Sequence, residues 1–225
     1  MTTVAVVGAG RMGSVVARQL PGETRKIVID TDLDKARGLA DAVRGTASAD
    51  LAAAAEADLV AVVLPAPAMK ETVQCLVGVL KTGAIVLNMA TTATVDRSVA
   101  ATNSGVLVVD AKVVGHAASM ARGAPGILVV KTEDLEIFGR IRQHYPGFSV
   151  VQGDADLVSA VNTIGSTEGI RAAVSVRKQL CAKGIPDEWI AVAIRTVCAG
   201  TMISFTENDL GHFARELAQR LERET

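Results

Sequence analysis

The chain opens on Val4-Ala5-Val6-Val7, an apolar run of strand character that breaks at once into Gly8-Ala9-Gly10-Arg11-Met12-Gly13. A helical stretch, Ser14 to Leu20, follows, and a second apolar run, Lys26-Ile27-Val28-Ile29, ends on Asp30, seventeen residues after Gly13. Strand, glycine turn, helix, strand and acid, in that order, constrain the fold more than any other feature of the sequence. Gly8 permits the tight turn, Gly10 lets a pyrophosphate approach the backbone, and Gly13 lets the helix pack closely on the strand. The helix start offers unpaired N–H groups and a partial positive charge to an anion. The stretch from Gly8 through Ala9, Gly10, Arg11 and Met12 to Gly13 is therefore expected to bind a dinucleotide, with Asp30 accepting from its adenosine ribose. A plain strand–helix turn without a ligand is the alternative.

Alternation continues along the chain. Helices are expected at Leu33–Val43, Ala49–Glu56, Ala68–Leu80, Thr94–Thr102 and Glu133–Tyr145. Strands are expected at Asp58–Leu64, stopped by Pro65, and at Ala84–Met89, Gly105–Lys112, Gly126–Val130 and Phe148–Val151. This repeated βαβ order implies an α/β fold, a doubly wound and mainly parallel sheet over residues 1–153. Composition agrees: 49% of residues are hydrophobic but only 3% aromatic, so the apolar mass is mostly Ala and Val, as in strands covered on both faces. From residue 154 to 225 the pattern turns all-α, with helices expected at Asp156–Lys183, Glu188–Ser204 and Asp209–Arg223. Such a short helical region does not easily form a core of its own. Trp189 to Ile194 and Val197 make its second helix apolar on most sides, so the region is expected to pack against a second copy, giving a homodimer.

The charge balance narrows the partners. A net charge of −1 offers no basic surface, so neither nucleic acid nor a membrane is expected. The longest apolar run identified, Leu59–Met69, holds two prolines and is too short to span a bilayer. The N-terminus lacks a basic segment, and Cys75, Cys181 and Cys198 are odd in number, unclustered and set among apolar neighbours. They read as reduced core thiols of a cytoplasmic protein, with no metal-ligand spacing.

Several segments carry a resemblance. Gly8-Ala9-Gly10-Arg11-Met12-Gly13 is similar to the G-x-G-x-M-G turn of the superfamily uniting β-hydroxyacid dehydrogenases, imine reductases and pyrroline-5-carboxylate reductases. Leu64-Pro65 looks like their "LP" loop beside the cofactor, and Leu87 to Thr92 is similar to the "IDMSTI" segment along the nicotinamide ribose, which implicates Thr91. Val109 to Gly115, with Ala124 to Val129, resembles the "DAPVSGG…GTL" stretch that contacts a substrate carboxylate. The resemblance implies a Rossmann domain, a nicotinamide cofactor and a helical dimerisation region.

Departures from the pattern shape the chemistry. The hydroxyacid enzymes place a general-acid lysine four residues before an asparagine on the long helix; here Asn162 is present but the earlier position is Val158. Carbonyl reduction needs a proton donor at the developing alkoxide, whereas an imine can arrive protonated, so a C=N substrate ranks before a 2-oxo or hydroxy acid. The small-residue opening of the reductases' long helix is replaced by Ile164 to Gly169, and their "SPGGTT" segment has no counterpart.

His116, just past a strand end, is a candidate proton donor or carboxylate holder, or else an exposed loop histidine. Lys112 is a candidate anion binder, or else a solvated lysine. Asn162 is the third catalytic candidate. Glu168 reads as a surface partner of Arg171, Arg195 as an interface ion partner or a carboxylate anchor, His144 and His212 as surface residues and Cys75 as core.

The carboxylate of Asp30 favours the free 2′-hydroxyl of NAD over the 2′-phosphate of NADP. Two functions follow: hydride transfer between NAD(P)(H) and a small, carboxylated C=N or C=O compound, or a binding subunit that has lost catalysis.

Overall fold

The computed structural model describes residues 1–94 and 105–224; the helix expected at Thr94–Thr102 lies, but for its first residue, outside them. One eight-stranded sheet has the order β3-β2-β1-β4-β5-β6-β7-β8. Its strands are β1 (Thr3–Val7), β2 (Arg25–Ile29), β3 (Thr46–Ser48), β4 (Leu59–Val62), β5 (Ile85–Asn88), β6 (Leu107–Val114), β7 (Ile127–Val130) and β8 (Ser149–Gln152). All neighbours are parallel except β6 and β7. The sheet is thus doubly wound and mainly parallel, and strand order reverses direction between β1 and β4.

The antiparallel step has a local cause. Between β6 and β7 the chain forms only α4 (Ala117–Met120), too short to carry it back along the sheet for a parallel crossover. Neither α4 nor β3 is expected from the sequence, because each is too short to show a period.

Strand alternation divides the core. Val4, Val6, Val28, Leu59 and Ala61 join one apolar cluster with α1 (Arg11–Arg18), α2 (Leu33–Val43) and α5 (Leu135–Arg142). Ala5, Val7, Ile27, Val60 and Val62 join the other with α3 (Ala66–Val79). Both sheet faces are therefore buried, as the valine-rich runs require. The apolar stripe of α3 is Met69, Val73, Leu76 and Val77. That phase puts Cys75 on the wet side, so the expectation of a core thiol is wrong: Cys75 and Cys181 are exposed and Cys198 half-buried.

The chain divides into two compact units, Met1–Asn162 and Thr163–Thr225. The division falls inside α6 (Leu157–Cys181), later than the change of pattern at residue 154. The first turn of α6 belongs with the sheet because Ala155 and Val158 are buried. The second unit comprises the rest of α6, α7 (Asp187–Val192), a π-helical segment (Ala193–Cys198), α8 (Ala199–Thr206) and α9 (His212–Glu224). Residues 187–206 form one 20-residue helical stretch, with a mean hydropathy of 1.4 over its most apolar 18 residues, long and apolar enough to cross a membrane by length and composition alone. It is longer than the Leu59–Met69 run and holds no proline. Glu168 pairs with Arg171, the surface pair expected.

Candidate functional site

The glycine turn explains its own sequence. Gly8 follows β1 with φ +105, and its N–H donates to Ile29 O at 2.7 Å. A side chain there would meet Val63 O at 2.4 Å, and one at Gly13 would meet Gly8 O at 1.8 Å. Those two glycines are needed for packing. Gly10 differs: a Cβ would meet nothing within 4 Å, so its hydrogen faces open space. Gly10 is also the N-cap of α1 and gives no side-chain cap, so the helix start is left to an outside acceptor.

A cleft of about 380 Å³ lies over this turn, lined by Gly10, Arg11, Met12 and Gly13, by Val63, Leu64 and Pro65 after β4, by Met89, Ala90 and Thr91 after β5, and by His116 and Ala117. It sits at the C-terminal ends of β1 and β4, where the strand order reverses and open α/β sheets bind ligands. The expected cofactor-lining residues Gly10, Arg11, Met12, Gly13, Leu64, Pro65 and Thr91 are brought together here.

Asp30 lies at the end of β2 with both oxygens engaged: Oδ2 accepts Ala9 N–H at 2.7 Å and Oδ1 accepts Asp32 N–H at 2.9 Å. It ties the glycine turn to β2, a task not foreseen. Each oxygen keeps a second lone pair for a hydroxyl. The nearby cations are paired, Lys35 with Asp32 at 2.9 Å and Arg37 with Asp34 at 3.3 Å. The Lys35 hydrogen bond holds the Asp32 carboxyl below its ordinary range. An open approach at Gly10, an uncapped helix start and a ribose acceptor together fit a dinucleotide.

His116 is exposed at the cleft and is the N-cap of α4, with Nδ1 3.1 Å from Ser119 Oγ. Helix α4 packs on α1, which brings the histidine to the glycine turn. Lys112 does not join it among the cleft residues. β6 runs on to Val114, so Lys112 is an interior strand residue, 2% exposed, with Nζ 3.4 Å from Asp156 Oδ1. It is neither the solvated lysine nor the anion binder expected. Asp156 also bonds Lys131, which reaches Asp154 at 3.1 Å. Lys131 chiefly, with Lys112 after it, pulls the Asp156 carboxyl below its ordinary range.

Asn162 faces β6: Nδ2 donates to Val113 O at 2.9 Å and Oδ1 accepts Gly115 N–H at 3.3 Å. Asn88 is not among the candidates that the sequence singles out. It is wholly buried, donating to Ala93 O at 2.8 Å and Asp110 Oδ1 at 2.6 Å while accepting Ala90 N–H at 3.1 Å. It anchors the Met89–Thr91 loop, and its place in the Leu87–Thr92 segment, as a polar residue ending an apolar strand, is the signal that could have found it. His144, expected at the surface, is buried. Arg195 is exposed within the π-helical segment.

The sequence profile of the NAD binding domain of 6-phosphogluconate dehydrogenase matches residues 3–136, more than half of the chain. The chain belongs to that family. It is thereby an NAD(P)-binding member of an oxidoreductase family. No curated protein matches its full sequence. Solved structures share the fold. A pyrroline-5-carboxylate reductase from Coxiella burnetii superposes with TM-score 0.74 at 16% identity, over 98% of this chain and 84% of its own. Mycobacterium tuberculosis 3-hydroxyisobutyrate dehydrogenase, crystallised with L-serine, gives 0.63 at 21%, over 86% and 70%. An imine reductase variant from Myxococcus stipitatus in complex with NAD+ gives 0.56 at 18%, over 92% and 77%. These neighbours belong to the superfamily that the sequence resembles, and this NAD-binding family member shares their architecture.

Proposed function

We propose that the protein is a reductase that uses NADH to reduce a small carboxylated imine. The observation that carries the reading is the shared cleft: His116 lines it together with the glycine turn and Thr91. Glycines 8, 10 and 13 with Arg11 and Met12 hold the dinucleotide, and Leu64, Pro65 and Thr91 flank it. When bound, the nicotinamide would supply the hydride that the imine carbon takes up. His116, exposed at the cleft, hands a proton to the imine nitrogen.

Val158 supports C=N over C=O chemistry. It fills the place of the hydroxyacid enzymes' acid with an alkyl group that is 1% exposed, and an imine makes the weaker demand on a donor. NADH over NADPH is supported by Asp30 and by the pairing of Lys35 and Arg37, which leaves a 2′-phosphate facing carboxylates. The apolar helix at residues 187–206 is read as the contact with a second copy, forming a homodimer.

The test is NADH oxidation with a panel of cyclic imines and 2-oxo acids, alongside NADH binding. Consumption with imines and its loss in His116→Ala are expected. Full binding with no consumption across the panel would replace the enzyme with the other reading, a nucleotide-binding subunit.

A further inference from the structure

Strand β6 outruns its neighbour. β5 pairs with Leu107–Asp110 and stops, while β7 covers only the opposite side, over Ala111–Val114. Leu107 N–H donates to Ala84 O in the β5 ladder. By the two-residue alternation of a strand, the main-chain groups of Val113 and Gly115 point to that same side, beyond the end of β5.

The Asn162 carboxamide meets them, giving its N–H to Val113 O and taking Gly115 N–H on its oxygen. A residue in a parallel ladder makes the same two bonds, one to each residue flanking its opposite number. The side chain stands in for a strand peptide opposite Val114. Gly115 immediately precedes His116. On the far side of the histidine, its own C=O accepts the N–H groups of Ser119 and Met120, each at 3.0 Å. Met120 in turn packs so closely that a Cβ on Gly115 would fall 2.6 Å from its sulfur and one on Gly126 2.2 Å from its Cε.

The geometry points to Asn162 as a positioning residue, which fixes His116 at the cleft through the Gly115 backbone and does not itself contact substrate. This rests on the reading of His116 as the proton donor.

The protein has three histidines, so NMR of their Cε1–H groups reports on each separately, without turnover. In Asn162→Ala, the His116 resonance and its titration are expected to move while those of His144 and His212 stay. NADH affinity should be unchanged, and kcat should fall on the order of tenfold to a hundredfold, as for a mispositioned group, with KM nearly constant. In combination with His116→Ala it should add no further loss. Asn162→Asp keeps the acceptor for Gly115 N–H but turns an oxygen that cannot donate toward Val113 O; it gives a change of the same kind and serves if the alanine variant does not fold. A still His116 resonance, a rise in KM alone, or losses that multiply with His116→Ala would each overturn the assignment. If the parent protein consumes no NADH, the proposed chemistry fails while the resonance still decides: movement upholds the positioning role and stillness overturns it.

Discussion

Two of the three glycines in the opening turn do different work from the third, and substitution separates them. At Gly13 an added Cβ would sit 1.8 Å from Gly8 O, a contact that nothing but backbone movement relieves. Gly13→Ala should lower both thermal stability and NADH affinity. At Gly10 the backbone, with φ −73, suits any residue, and the added carbon meets no protein atom. Gly10→Ala should therefore leave stability within about 0.5 kcal/mol, as for an unstrained surface change, yet weaken NADH binding because the methyl occupies the pyrophosphate approach. A thermal melt with and without NADH checks both; equal effects in the two variants would contradict the packing-versus-ligand division. The packing roles of Gly8 and Gly13 were legible in the sequence because a strand, a turn and a helix leave few ways to close. The role of Lys112 was not. A lysine near the end of an apolar run reads as a solvated terminus, and only the two further residues of β6 show it to be buried.

At the level of elements, Lys112 and Asp156 join β6 to the start of α6. Lys112 is 2% exposed, whereas the Asp156 side chain is 41% exposed and shares Lys131. Removing the carboxylate strands a buried ammonium, while replacing the ammonium by an alkyl chain strands little. Asp156→Ala should thus cost more than Lys112→Met, by about 2 kcal/mol, below the range for fully buried pairs because water reaches this one. Urea unfolding of both variants measures the difference, and equal losses would refute the asymmetry.

The turn just after α5 holds a second buried titratable group. His144 lines a small cavity of about 190 Å³ with Asp58, Arg140 and Gln143, at the N-terminal ends of β1, β4 and β5, away from the glycine turn. Burial lowers its pKa from the ordinary 6.5; the Asp58 charge opposes this and Arg140 adds to it. A lowered histidine pKa means that the unfolded chain binds the proton more readily, so the stabilising contribution is complete above 6.5 and fades as pH falls below it. Asp58 behaves differently. Burial raises its pKa, but the Lys81 and Thr3 hydrogen bonds outweigh that and hold it below 3.8, so its contribution is lost only in stronger acid. Unfolding free energy should decline in two steps on acidification, and His144→Gln should remove the first. No sequence pattern announced this histidine as buried, since α5 shows charged residues on every turn.

Apart from the short β3, the parallel part of the sheet followed from the alternation of strand and helix, because parallel strands with helical crossovers admit one handedness and few orders. What escaped was the reversal at β7, which depends on how little chain lies between Val114 and Ile127. The helical unit was legible as helices but not in its π-helical segment, which breaks the period it would be read by. That unit also makes the largest claim on a partner. Trp189, Val192, Val197, Ile203 and Phe205 are all more than half exposed, an apolar surface of a kind that monomers rarely leave in water. Arg195 sits midway along the same stretch, where a bilayer centre would charge about 3 kcal/mol for it, so a protein surface with a matching acid suits the stretch better than lipid. Sedimentation should show a dimer. Ile203→Asp, which puts a carboxylate into the contact and leaves the sequence of the first unit unchanged, should dissociate it while NADH still binds to the first unit. A protein that sediments as a monomer before substitution, or that partitions onto neutral lipid vesicles through this helix, would assign the surface to another use.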